Sequence, residues 1–199
     1  MLTHCIIFLT YFLFLIFSVV IVALVFVSVV INLLASPTEI VEEVGVKTFR
    51  MFTVLSNIFV GVAAAMTIPF AVDGIRQKNY HLPRWIVALT YVSVNCISLT
   101  FLVALTILSS GAGFVTIMIE GKNLFLHTIV PIIAIITFLF INVYHTVRFK
   151  TAFLAVLPVA VYAIVYLILA LIMILPTAVF AADKQPKPND VADKSEANV

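Results

Sequence analysis

The chain has 199 residues, of which 64% are hydrophobic and only 10% charged, with a formal net charge of +2 and a mean hydropathy of +1.25. Soluble domains average about 45–50% apolar and about 25% charged, so the excess here has nowhere to go but lipid. The small charge argues against nucleic acid as a partner, and long unbroken apolar runs exclude a transmembrane barrel, whose strands alternate.

The N-terminus lacks the Lys/Arg-rich start of a secretory signal, and its apolar stretch is about twice the length of a signal core, so it reads as a retained first helix. That run covers about 5–35 and stops at Ser36-Pro37-Thr38-Glu39, with Glu42, Glu43, Lys47 and Arg50 in the connection. The second covers about 49–72, ending at Asp73-Gly74 before Arg76, Lys78, His81 and Arg84. The third, about 85–109, opens on Trp85, an interfacial anchor, and ends at Ser109-Ser110-Gly111. Phe114 to Ile119 is too short to span and is expected in the interface. The fourth run covers about 124–146 and the fifth about 152–180. The expected fold is therefore all-α, a polytopic transmembrane helix bundle of about five spanning helices. It forms one domain over 1–182, followed by a polar, disordered tail at 183–199.

Basic residues concentrate in the second and fourth connections, at Arg76, Lys78, Arg84, Arg148 and Lys150. The positive-inside rule then predicts a multi-pass protein of the cell membrane with a cytoplasmic N-terminus. Cys5 and Cys96 both lie in apolar runs, so neither a disulfide framework nor a metal site is expected, and no cofactor is implied.

Carboxylates, Lys and Arg are absent from the middle of every run, which argues against an ion-coupled pump. Thr53, Ser56 and Asn57 are spaced to share one face of helix two, and His127 lies one turn inside helix four. Those helices run in the same direction, which predicts Thr53 and His127 at one depth, roughly 6 Å into each helix. Pro131 cannot donate to the carbonyl of His127, so a freed acceptor and a bend are expected there; Pro158 should likewise free the carbonyl of Leu154. By itself each of these residues has a structural reading. A helical Thr bonds the carbonyl four residues earlier, Asn57 links helices, and Gly61 with Ala65 marks close helix packing.

The segments Phe52-Thr53-Val54-Leu55-Ser56-Asn57 and Leu126-His127-Thr128-Ile129-Val130-Pro131 resemble the androgen-induced and androgen-dependent membrane proteins and their bacterial six-helix relatives. Pro158-Val159-Ala160-Val161-Tyr162 resembles a third motif of that family. The resemblance spans roughly 49–170 and implies an intramembrane hydrolase of fatty-acid esters of hydroxy fatty acids. It implies Thr53 as nucleophile and His127 as general base, the bilayer as surroundings and a fatty-acyl ester as substrate. Ser56 or Asn57 would then support the oxyanion, a contribution of about 2.7–4 kcal/mol when aligned. The family has six helices and an aromatic Asp-Trp pattern after the fourth motif; here Thr137-Phe138 stands in that region and the chain turns polar after five runs. Self-association into a homo-oligomer would complete such a bundle. The competing reading is a non-enzymatic membrane protein, a small transporter or assembly partner, in which these residues only hold helices together.

Overall fold

The computed structural model describes residues 2–34, 45–77, 82–121, 123–141 and 149–183. The expected acidic stop at 36–43, Lys78, His81, His145, Arg148 and the tail beyond 183 lie outside these residues.

Among the described residues every regular element is helical. Helix α1 runs Leu2–Leu34, and a 3-10 turn over Gly45–Arg50 leads into α2, Phe52–Gln77. Helix α3 runs Arg84–Val103 and continues through a π turn, Ala104–Leu108, and one α turn, Ser109–Ala112. The short α4 is Phe114–Met118. A second π turn, Leu124–Ile129, leads into α5, Val130–Ile141, and α6 is Phe149–Asp183. The helix expected from 49 thus begins at Phe52, because Gly45, with φ of 61°, opens a tighter 3-10 turn that occupies the preceding residues. Thr53 is accordingly in the first turn of α2 rather than 6 Å along it.

Four of these helices contain stretches long and apolar enough to cross a bilayer: Phe8–Leu34, Phe52–Gln77, Arg84–Ala112 and Thr151–Ile168. The apolar Leu124–Leu139 is shorter. Large apolar side chains point outward, with Phe26 69%, Leu102 53% and Leu139 63% exposed. Water would penalise each such surface at about 25 cal/mol per Å², whereas acyl chains do not. The chain is a polytopic α-helical membrane protein.

Packing divides the chain into two compact units, Met1–Pro158 and Val159–Val199. In the first, α1 packs on α2 and α5, and α3 packs on the same two, closing a ring of four helices. On α1 the buried positions are Tyr11, Phe14, Ser18, Ile21, Val25, Ser28 and Asn32, alternately three and four residues apart. That spacing keeps one narrow seam on the bundle axis and leaves the rest of the helix to lipid. Two core clusters follow the axis: Tyr11, Phe14, Leu82 and Ile86 near one end, and Ile21, Val25, Val60, Ile97 and Val130 further along. Gly61 lets α1 approach closely, since a Cβ there would sit 2.9 Å from Val25 Cγ1. Ala65, its expected companion, faces outward. Trp85 is half exposed at the start of α3, edge-on to Phe70 at 5.7 Å between ring centres. In the second unit the C-terminal part of α6 stacks Tyr162 on Tyr166, one turn apart, at 5.8 Å.

Candidate functional site

Helical Thr and Ser residues in this bundle follow the default of bonding their own backbone. Thr90, Thr100, Thr106 and Thr137 each donate to the carbonyl four residues earlier, at 2.6–3.1 Å. Asn95 and Ser98 do the same. Thr53 differs. It lies in the first turn of α2, and its half-buried hydroxyl has no hydrogen-bond partner among the described residues.

Asn57, one turn further along α2, is fully buried. Its Nδ2 donates one hydrogen to the carbonyl of Thr53 at 2.8 Å and one to the carbonyl of Leu126 at 3.1 Å. A single carboxamide therefore ties the backbone of Thr53 to the residue preceding His127. The Thr53 carbonyl also accepts from Ser56 Oγ at 2.9 Å. Ser56 Oγ lies 3.0 Å from Thr100 Oγ1 on α3, and Thr100 donates to Cys96 O at 3.1 Å. Three helices thus meet at this joint.

The acceptor on the far side is available for a physical reason. In an α-helix the carbonyl of Leu126 would receive the N–H of Val130, four residues on. Here Val130 N–H goes instead to Phe125 O, five residues back, the π pattern. The next donor in that pattern would be residue 131, which is proline and has no N–H. Leu126 O is left without a donor on its own helix, and Asn57 supplies one. The carbonyl tied to α2 is thus that of Leu126, one residue before the His127 carbonyl expected to be freed.

His127 sits on this π turn and is 5% exposed. Two buried side-chain atoms have no hydrogen-bond partner among the described residues, Asn57 Oδ1 and His127 Nδ1. Of the four residues expected to form a site, the structure links Thr53, Ser56 and Asn57 directly, and connects them to His127 through the backbone of its neighbour. Both Asn57 hydrogens are engaged, as are the hydroxyl protons of Ser56 and Thr100.

A second polar cluster went unnoticed in the sequence. Ser18 on α1 meets Thr67 on α2 at 3.2 Å, and Thr67 donates to Ala64 O at 2.6 Å, so Ser18 is the donor between them. Beside them is a cavity of about 20 Å³, lined also by Thr90, Ser93 and Thr137. That is room for about one water, but Thr90, Ser93 and Thr137 direct their protons to carbonyls of their own helices. The seam spacing on α1 would have singled out Ser18 as an inward-facing hydroxyl.

Among the described residues no group of three His, Cys, Asp or Glu side chains could hold a metal ion. Comparison with protein-family models, with curated proteins and with solved structures found no match to this chain.

Proposed function

We propose that this membrane protein is an intramembrane hydrolase of lipid esters, with Thr53 as nucleophile and His127 as general base. One observation carries the reading. The Asn57 amide holds the Thr53 backbone to the residue before His127, while the Thr53 hydroxyl has no hydrogen-bond partner among the described residues. Groups that only glued helices together would be expected to use their hydrogen-bonding capacity doing so.

In this reading the imidazole takes the Thr53 proton as Oγ1 attacks the ester carbonyl. The C–O bond to the alcohol breaks, and the imidazolium returns the proton to the departing alcohol oxygen. Water, deprotonated by the same ring, then attacks the acyl–Thr53 carbonyl; the C–Oγ1 bond breaks, the imidazolium returns the proton to Thr53 Oγ1, and the fatty acid is released. The β-branched threonine has few rotamers, which limits the positions its hydroxyl samples. The motif resemblance supports a fatty-acyl ester as substrate. The basic residues flanking the second and fourth connections support the cell membrane and a cytoplasmic N-terminus.

A second reading is favoured by a different observation: both Asn57 hydrogens and the Ser56 proton are already engaged. Either residue would have to break a bond to serve an oxyanion, and in a non-enzymatic protein the joint would simply lock α2, α3 and α5 together. A serine/threonine-directed fluorophosphonate separates the two. The hydrolase reading expects labelling of wild type that disappears in Thr53→Ala and falls at least tenfold in His127→Ala, on the scale of general-base catalysis, about 10²–10⁴. No labelling, or equal labelling of all three proteins, overturns it.

A further inference from the structure

We propose that Asn57 Oδ1 is the acceptor for the Nδ1–H of His127, which fixes the ring in the tautomer whose Nε2 has a free lone pair. This inference goes beyond hydrolysis and does not depend on it: it holds whether or not Thr53 is ever acylated.

The orientation of the amide is set first. Asn57 Nδ2 faces two carbonyl oxygens, at 2.8 and 3.1 Å. Turning the amide over would place Oδ1 against both, acceptor against acceptor, so the nitrogen must stay where it is. Oδ1 is then a fully buried acceptor in need of a donor. Neighbouring hydroxyls do not supply one. Ser56 and Thr100 form their own chain, and Thr128 donates to Met118 O at 2.6 Å.

Among the described residues the other buried side-chain atom without a partner is His127 Nδ1, on the residue next to the carbonyl that Asn57 already holds. A neutral imidazole carries one N–H, on either nitrogen. With the hydrogen on Nδ1, donor and acceptor complement each other, and a bond between them would close both deficits. Asn57 is then a positioning residue: it anchors the π turn through its nitrogen and the ring through its oxygen. The alternative closure is a water that donates one hydrogen to each atom, which requires Nδ1 to be bare. The two closures differ in the position of a single proton.

Nitrogen-15 NMR of the full chain in lipid bilayers, with labelled histidine and the His127 signals identified by their loss in His127→Gln, reads that proton directly. The expected result is an Nδ1–H over Nε2–H excess of roughly tenfold, the ratio one net hydrogen bond supports. Asn57→Leu, which removes the acceptor, should abolish it. A bare Nδ1 in wild type overturns the proposal, as does an unchanged tautomer ratio in Asn57→Leu. Should Asn57→Leu fail to fold, the wild-type spectrum decides alone. Absence of fluorophosphonate labelling together with a protonated Nδ1 would remove the hydrolase reading and leave this one standing.

Discussion

Asn57 carries more of the joint than any residue near it, because an amide can serve two acceptors with one nitrogen and still present an oxygen. Ser56 has a narrower role, held between Thr53 O and the Thr100 hydroxyl. Replacing Thr100 by Val keeps the shape and removes the hydroxyl contact between α2 and α3. Interhelical hydrogen bonds in membrane proteins are worth about 0.6 kcal/mol on average. Thr100→Val should therefore lower stability in detergent unfolding by about that amount and leave the fold intact; a loss of about 3 kcal/mol or more would mean that Thr100 does something else. At this scale the sequence was legible in part. The spacing of Thr53, Ser56 and Asn57 gave a shared face, since periodicity is local. Thr100 as the partner of Ser56 was not visible, because which hydroxyls meet depends on how two helices are rotated against each other.

Among the elements, the turn at Leu124–Ile129 decides what the helix ahead of α5 offers to α2. Pro131 is expected to free the carbonyl of His127 itself. The register of the wider turn, which determines that Leu126 is the one tied to α2, was not readable from a single Pro131. Pro131→Ala restores a backbone N–H that bonds Leu126 O in π register, or bonds His127 O in α register while the Val130 N–H returns to Leu126 O; in either case Asn57 gains a competitor. The cost of Asn57→Ala should accordingly be smaller in a Pro131→Ala background than in wild type, with an interaction energy of about 0.5–3 kcal/mol in a double-mutant cycle. Strict additivity would show that the carbonyl is not shared. The helix boundaries tell a similar story. α2 starts at Phe52 because the turn before it is tied down elsewhere, with the Thr48 hydroxyl donating to Asn32 Oδ1 at 3.4 Å.

Over the whole molecule, composition settled the solvent and hence the class of fold, because a membrane leaves so few ways to satisfy a backbone. The ring of four helices was not legible, since lipid-facing and bundle-facing side chains are equally apolar and hydropathy does not distinguish them. On α1 the distinction lies in small polar residues, Ser18, Ser28 and Asn32, recurring on one seam. Orientation is a property of the whole chain, and it is testable at the two ends of the bundle. Arg76 closes α2, and Glu120 follows α4 at the opposite end; both are exposed. In a cysteine-free background, a membrane-impermeant maleimide applied to intact cells should label Glu120→Cys and spare Arg76→Cys. The reverse pattern would invert the topology.

The wider turn at Leu124–Ile129 also bears on how this chain can change length. A π turn is the shape one surplus residue takes when a helix keeps the facing of both its ends. Deleting a residue inside 124–129 would let the segment relax to ordinary α geometry without turning α5 on its neighbours. The same deletion within α5 would rotate everything beyond it by about 100° and swing bundle-facing side chains toward lipid. The segment that carries His127 is therefore the place where this helix could lose a residue with least disturbance to α5. Shortening at 124 or 125 would also let the Val130 N–H reach Leu126 O and release Asn57 from it, whereas shortening at 127–129 would bring Pro131, which has no N–H, to that place.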